Sequence, residues 1–158
     1  MADSLLANKR VLITQADVFM GPALCGVFAA HGATVIASTA SLVGPDAPAA
    51  VVAAAGDIDV LIANLAIPAP ATPALEVTED EWREVFATLV DPLPRLCRAV
   101  LPSMIARRAG KIVVMGSASA LRGMKRASSY SAARGAQLAY VQALGVEMAP
   151  HNVQINLI

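Results

Sequence analysis

Short apolar runs bounded by polar and turn residues alternate along this chain with longer stretches of helical spacing. Arg10 to Thr14 (RVLIT), Thr34 to Ala37, Asp59 to Ala63 (DVLIA), Ile112 to Met115 and Val153 to Ile158 (VQINLI) each read as a strand. The apolar, partly β-branched composition of Arg10 to Thr14 predicts a strand buried on both faces, and Ile112 to Met115 has the pattern of a buried strand. Gly21 to His31 (GPALCGVFAAH) reads as a helix ended by Gly32, a natural position for a left-handed cap. Thr39 to Ile58 is soft, with Gly44, Pro45 and Pro48. It has room for one short helix, Ala47 to Ala55, so the sheet is expected to lack a peripheral strand on this side. Thr78 followed by Asp80 and Glu81 opens a helix towards Arg108, and Asp91-Pro92-Leu93-Pro94 predicts a kink or break within it. A last helix opens at Ser129. It carries Ala133, Leu138, Val141, Leu144 and Met148 on an apolar stripe and stops at Pro150.

Strand, turn, helix and strand in repetition predict one α/β domain over residues 1–158, a doubly wound, Rossmann-like three-layer fold around a mainly parallel sheet. The sequence stops inside the last predicted strand. Ligands of such sheets sit outside the carboxyl ends of the strands, so the expectation is a C-terminally incomplete domain lacking one wall of its site.

Composition narrows the class. The 158 residues are 56% hydrophobic and 15% charged, which argues for a packed domain and against disorder. Twelve basic residues balance twelve acidic ones, so no net field recruits nucleic acid or an acidic membrane. The local clusters Arg107, Arg108, Lys111 and Arg122, Lys125, Arg126 read as a solvated helix end and loop. The start, MADSLL, lacks the features of a secretory signal, and no apolar stretch reaches transmembrane length, so a soluble cytoplasmic protein is expected. Cys25 and Cys97 fall at apolar helical positions and read as small buried hydrophobes. The two histidines, His31 and His151, sit near helix ends far apart in sequence, which gives a metal site little support.

The chemistry concentrates between Lys111 and Tyr140. Ser117 lies at the carboxyl end of a strand, Tyr130 follows it after thirteen positions and Arg134 after four more. The last spacing puts phenol and guanidinium on one helical face, where the cation favours the ionised phenol as a base. Serine in a turn also has a plain structural use, and Phe19 reads equally as ordinary core. Asn64 has the alternative of holding the sheet together, and Trp82 is read as a packing residue.

Taken together, RVLIT with its turn and GPAL, DVLIAN, GKIVVMGSAS and YSAARGA resemble the short-chain dehydrogenase/reductase superfamily over essentially the whole chain. Two departures stand out. The superfamily's nucleotide loop has three glycines after its threonine, whereas Thr14 is followed here by Gln15 and Phe19 at the first two places, and only Gly21 is kept. After the second strand, Ser38-Thr39-Ala40 supplies neither an acid nor a base for a ribose. Arg134 stands where the dehydrogenases have lysine. A Ser-Tyr-Arg triad beside such a loop resembles the halohydrin dehalogenases, cofactor-independent lyases of the same fold.

That resemblance implies catalytic Ser117, Tyr130 and Arg134, no cofactor and no metal. It also implies a halide and substrate pocket near Phe19, Asn64, Leu65, Ile67, Ser119 and Met124, with Ala127 a further substrate-side candidate. The substrates would be vicinal haloalcohols, or epoxides opened by small anions such as azide, cyanide or nitrite, and the assembly a homotetramer built partly through the two long helices. Two alternatives remain: a nicotinamide-dependent reductase with an aberrant loop, and a non-catalytic remnant.

Overall fold

A computed structural model describes residues 4–158, so the first half of the MADSLL start lies outside the described residues. Five strands, β1 (Arg10–Ile13), β2 (Thr34–Ala37), β3 (Val60–Ala63), β4 (Gly110–Val114) and β5 (Val153–Leu157), form a wholly parallel sheet of order β2-β1-β3-β4-β5. The helices are α1 (Gly21–Ala30), α2 (Ala47–Ala55), α3 (Glu79–Leu89), α4 (Pro92–Ala106), α5 (Ser119–Arg122) and α6 (Ser128–Met148).

Strand alternation sends successive side chains to opposite faces, and both faces find apolar cover. Leu12, Leu61, Ala63, Ile112, Val114 and Ile155 enter the main core with side chains from α2, α3, α4 and α6. Val11, Ile13, Val60 and Ile62 form a smaller cluster, against which Leu24, Cys25 and Phe28 of α1 pack. The three-layer arrangement and the short, soft region after β2 are as the sequence predicts. A single helix fills that region, and β2 is an edge of the sheet.

The capping chemistry explains where the helices begin and stop. Thr78 Oγ1 accepts from the Glu81 backbone N–H at 3.1 Å, satisfying an unpaired first-turn donor of α3. Gly32 follows α1 at φ +87°, a conformation that costs glycine nothing. The long predicted helix breaks between Leu89 and Pro92, where proline takes the first position of α4.

Several details depart from expectation. The loop after Ser117 contains the single turn α5, too short to leave a periodic signal. Leu138, expected on the buried stripe of α6, is half-buried and lines an open groove of about 610 Å³ between α6 and the edge strand β5. Cys25 is only partly buried, while Cys97 is buried and both are free thiols. The basic pair at the end of α4 is more engaged than a solvated helix end. Arg107 donates to the Ile58 and Ala109 carbonyls, and Arg108 to that of Pro150. Among the described residues no helix is long and apolar enough to cross a membrane.

Candidate active site

The chain winds outward from β1 to β2, then crosses back to β3 on the other side of β1. The crevice between the carboxyl ends of β1 and β3 is therefore the topological switch point, where open α/β sheets bind ligands. Here it is laced shut by side-chain amides. Asn64, fully buried just after β3, donates from Nδ2 to the carbonyls of Gln15 at 2.8 Å and Val18 at 3.1 Å. Gln15 answers by accepting the Ala66 N–H on Oε1 at 2.6 Å. Gln15 and Phe19 both hold positive φ, +44° and +53°, in the left-handed region that glycine favours. The loop thus keeps glycine-like backbone conformations while carrying side chains. Gly21 cannot change, because a Cβ there would meet the Gln15 and Ala16 carbonyl oxygens at 2.5 and 2.6 Å.

The turn after β4 presents Ser117. Its Oγ accepts from the Ser119 N–H at 3.2 Å and from the Ser119 hydroxyl at 2.9 Å. A serine hydroxyl has two acceptor positions and one proton, so with both acceptor positions taken Ser117 is left to donate. The turn is fastened to the last strand: the Gly116 N–H donates to the Ile158 carbonyl at 2.7 Å, and a Cβ on Gly116 would overlap Leu157.

Tyr130 and Arg134 are both buried on α6, at 8% and 1% exposure, with the guanidinium carbon 5.0 Å from the centre of the phenol ring. That is within the range of a cation over an aromatic face. Arg134 Nη1 donates to the Met115 carbonyl and to Gln137 Oε1, both at 2.9 Å, while its Nε has no partner. The start of α6 is tethered on either side of Tyr130. Ser129 donates to Glu81 of α3 at 2.6 Å, and Ser131 Oγ accepts the Met124 N–H at 3.2 Å. Gln137 escapes the sequence reading, and so does the tether through Glu81, a residue read from sequence only as a first-turn acid of α3. Gln137 did leave one signal, a polar residue three positions after Arg134 inside an apolar stripe.

The structure thus joins Ser117 to Ser119 and Tyr130 to Arg134. The other predicted pocket residues are dispersed. Leu65 is fully buried in the main core, as is Ala127. Ile67 packs half-buried on that core and lines a groove of about 260 Å³ with Pro68, Pro70, Glu81, Glu84 and Val85. Phe19 stands 64% exposed on the crest of its loop, and Met124 is 49% exposed beyond α5.

The same loop decides whether a dinucleotide fits. A pyrophosphate needs bare backbone N–H groups at a helix start. Here Gln15 fills the first glycine position, the exposed Asp17 adds a carboxylate, and Phe19 and Met20 stand exposed ahead of α1. Ser38-Thr39-Ala40 after β2 offers no charged partner for a ribose. These residues do not fit a dinucleotide.

A parallel α/β sheet with a serine at a strand end and a tyrosine and cation on the following helix defines a class of protein, and sequence comparison agrees. The short chain dehydrogenase family pattern matches residues 44–158, and this chain belongs to that family. It is similar to the 3-oxoacyl-(acyl-carrier-protein) reductase of Vibrio harveyi, 29% identical over 103 residues, a match spanning 65% of this chain and 42% of that protein. The corresponding reductase of Chlamydia muridarum is 27% identical over 185 aligned positions, covering 99% of this chain and 74% of the reductase. A solved structure of a "dehalogenation enzyme" superposes with a TM-score of 0.89 at 31% identity, covering 97% of this chain and 72% of that one.

Proposed function

We propose that this chain is a halohydrin dehalogenase: it converts vicinal haloalcohols to epoxides and halide, and in reverse opens epoxides with small anions. The observation that carries the reading is the buried Tyr130–Arg134 pair, taken together with a nucleotide loop in which Gln15 and Phe19 stand at the first two glycine places. The likeness to a dehalogenation enzyme at 31% identity supports it.

In this mechanism Ser117 donates its proton in a hydrogen bond to the substrate oxygen. Tyr130, with the Arg134 guanidinium over its ring, is the general base that accepts the proton of that hydroxyl. The alkoxide then attacks the neighbouring carbon from the back side, the new C–O bond closes the epoxide, and the carbon–halogen pair departs as halide. The nucleophile lies within the substrate, so proximity supplies most of what the enzyme would otherwise have to arrange. The exposed Phe19 and Met124 and the half-buried Ile67 are the residues of this reading free to meet a ligand. Asn64, Leu65 and Ser119 shape the walls from behind, and a homotetramer through the long helices goes with it.

Halide release from a 1,3-dichloropropanol-type substrate tests the proposal. Tyr130→Phe should lose about a hundredfold or more of the rate, the range of a general base. Full activity in that variant would refute the assignment. The second reading, a nicotinamide-dependent reductase, is favoured by the reductases among the relatives. Enhanced NADH fluorescence on tight binding would establish it against the loop geometry.

A further inference from the structure

Arg134 presents an electrostatic puzzle. It is almost wholly buried, yet none of the ion pairs among the described residues includes it. It hydrogen-bonds only a carbonyl and an amide, both neutral, and lies over the Tyr130 ring. A buried cation without a counter-charge is costly, and such groups normally acquire a carboxylate. Gln137 stands where one could have been, three residues along the same helical face.

Its amide has only one orientation that satisfies both neighbours. Oε1 accepts from Arg134 Nη1 at 2.9 Å, and Nε2 donates to the Leu89 carbonyl at 2.6 Å. Leu89 is the last residue of α3, in the turn where helix carbonyls run out of intrahelical partners. The end of α3 fixes Gln137, Gln137 fixes the guanidinium, and the guanidinium faces Tyr130. The fully buried Gln137 side chain leaves little rotational freedom at any link.

We propose that Gln137 is a positioning residue: its neutral amide, anchored on α3, aims the Arg134 guanidinium at Tyr130 without neutralising it. A glutamate in the same place would orient the cation equally well but would claim its charge. The inference rests on the role given to Tyr130 and Arg134 above, and its test separates the two.

The test compares wild type, Gln137→Met and Gln137→Glu by halide-release kinetics and by nitrogen NMR of the Arg134 guanidinium, assigned by its loss in Arg134→Lys. In wild type, the two bonds on Nη1 should hinder rotation and resolve the Nη signals. Gln137→Met leaves only the Met115 bond on Nη1, so it should lower that barrier to rotation and lower kcat about tenfold to a hundredfold with KM unchanged, the factor carried by one hydrogen bond to a charged group. Gln137→Glu should keep the hindrance and still lose kcat. Unchanged kcat in folded Gln137→Met, or wild-type kcat in Gln137→Glu, would overturn the proposal. If Gln137→Met does not fold, Gln137→Glu alone decides. If the wild type releases no halide, the dehalogenase reading falls and the NMR comparison decides by itself. A rotation barrier lowered in Gln137→Met sustains the positioning role, and an unchanged barrier refutes it.

Discussion

Replacing Asn64 by alanine would unlace the switch-point crevice, and the cost can be worked from its contacts. Two hydrogen bonds from Nδ2, to the Gln15 and Val18 carbonyls, are lost. Each is worth about 1 kcal/mol net. Neither carbonyl is orphaned, because Gln15 still accepts the Val18 N–H and Val18 the Gly21 N–H. Asn64 Oδ1 is itself buried without a partner, so deleting it returns about 1 kcal/mol. The space left by the fully buried side chain adds a similar cost. The expected loss is about 2 kcal/mol. That corresponds to a fall of about 1 M in the urea midpoint, or roughly 4–8 °C in Tm for a chain of this size. Asn64→Asp keeps the shape but sets a carboxylate against two carbonyl oxygens, so at neutral pH it should cost more than alanine. Hydrogen exchange should locate the damage at the Gly21 and Ala66 amides. A loss below about 0.5 kcal/mol for Asn64→Ala, the level of an ordinary surface change, would refute this account, as would a reversed order of the two variants.

Two further outcomes follow from titratable groups. Burial pushes the Cys97 thiol up to about 12, so a disulfide reagent at neutral pH should modify Cys25 alone in the folded protein and both cysteines in denaturant. Two rapid equivalents under native conditions would contradict the burial. The Ser129 hydroxyl, then that of Thr72, holds the Glu81 carboxyl below its ordinary 4.5. The stabilisation is therefore complete above pH 4.5 and fades as acid protonates Glu81. Urea midpoints for Ser129→Ala should trail wild type at neutral pH and converge with it in acid, and a gap independent of pH would show that this bond contributes nothing through ionisation.

Which parts of this were legible in the sequence follows from how local each signal is. RVLIT and DVLIA announce buried strands because a short run without polar alternation has few other uses, and Asp91-Pro92 announces a helix break because proline acts on its own turn. The spacing of Tyr130 and Arg134 survives folding because one helix carries both. Gln137 and Glu81 were not legible in their roles, since each acts through a partner on another element, Leu89 and Ser129 respectively. Gln15 and Phe19 were legible as missing glycines, but not as residues holding a glycine conformation, because composition does not report φ. Nor does an apolar pattern distinguish a ring on a loop crest from one in the core, and so the exposure of Phe19 required the structure.

The fastening of Gly116 to Ile158 carries a consequence for folding. β5 reaches β4 only after α5 and α6 have crossed over, pairing Gly110 with Val153 and Val114 with Leu157. Such non-local pairing is the slow kind, because chain entropy is lost before contacts compensate it. The turn bearing Ser117 closes against that last strand, so the serine takes its place only when the most distant part of the chain docks. Tyr130 and Arg134 meet within one helix and need no such event. The phenol and cation are thus paired by local structure, whereas the turn that carries the Ser117 hydroxyl depends on the docking of β5.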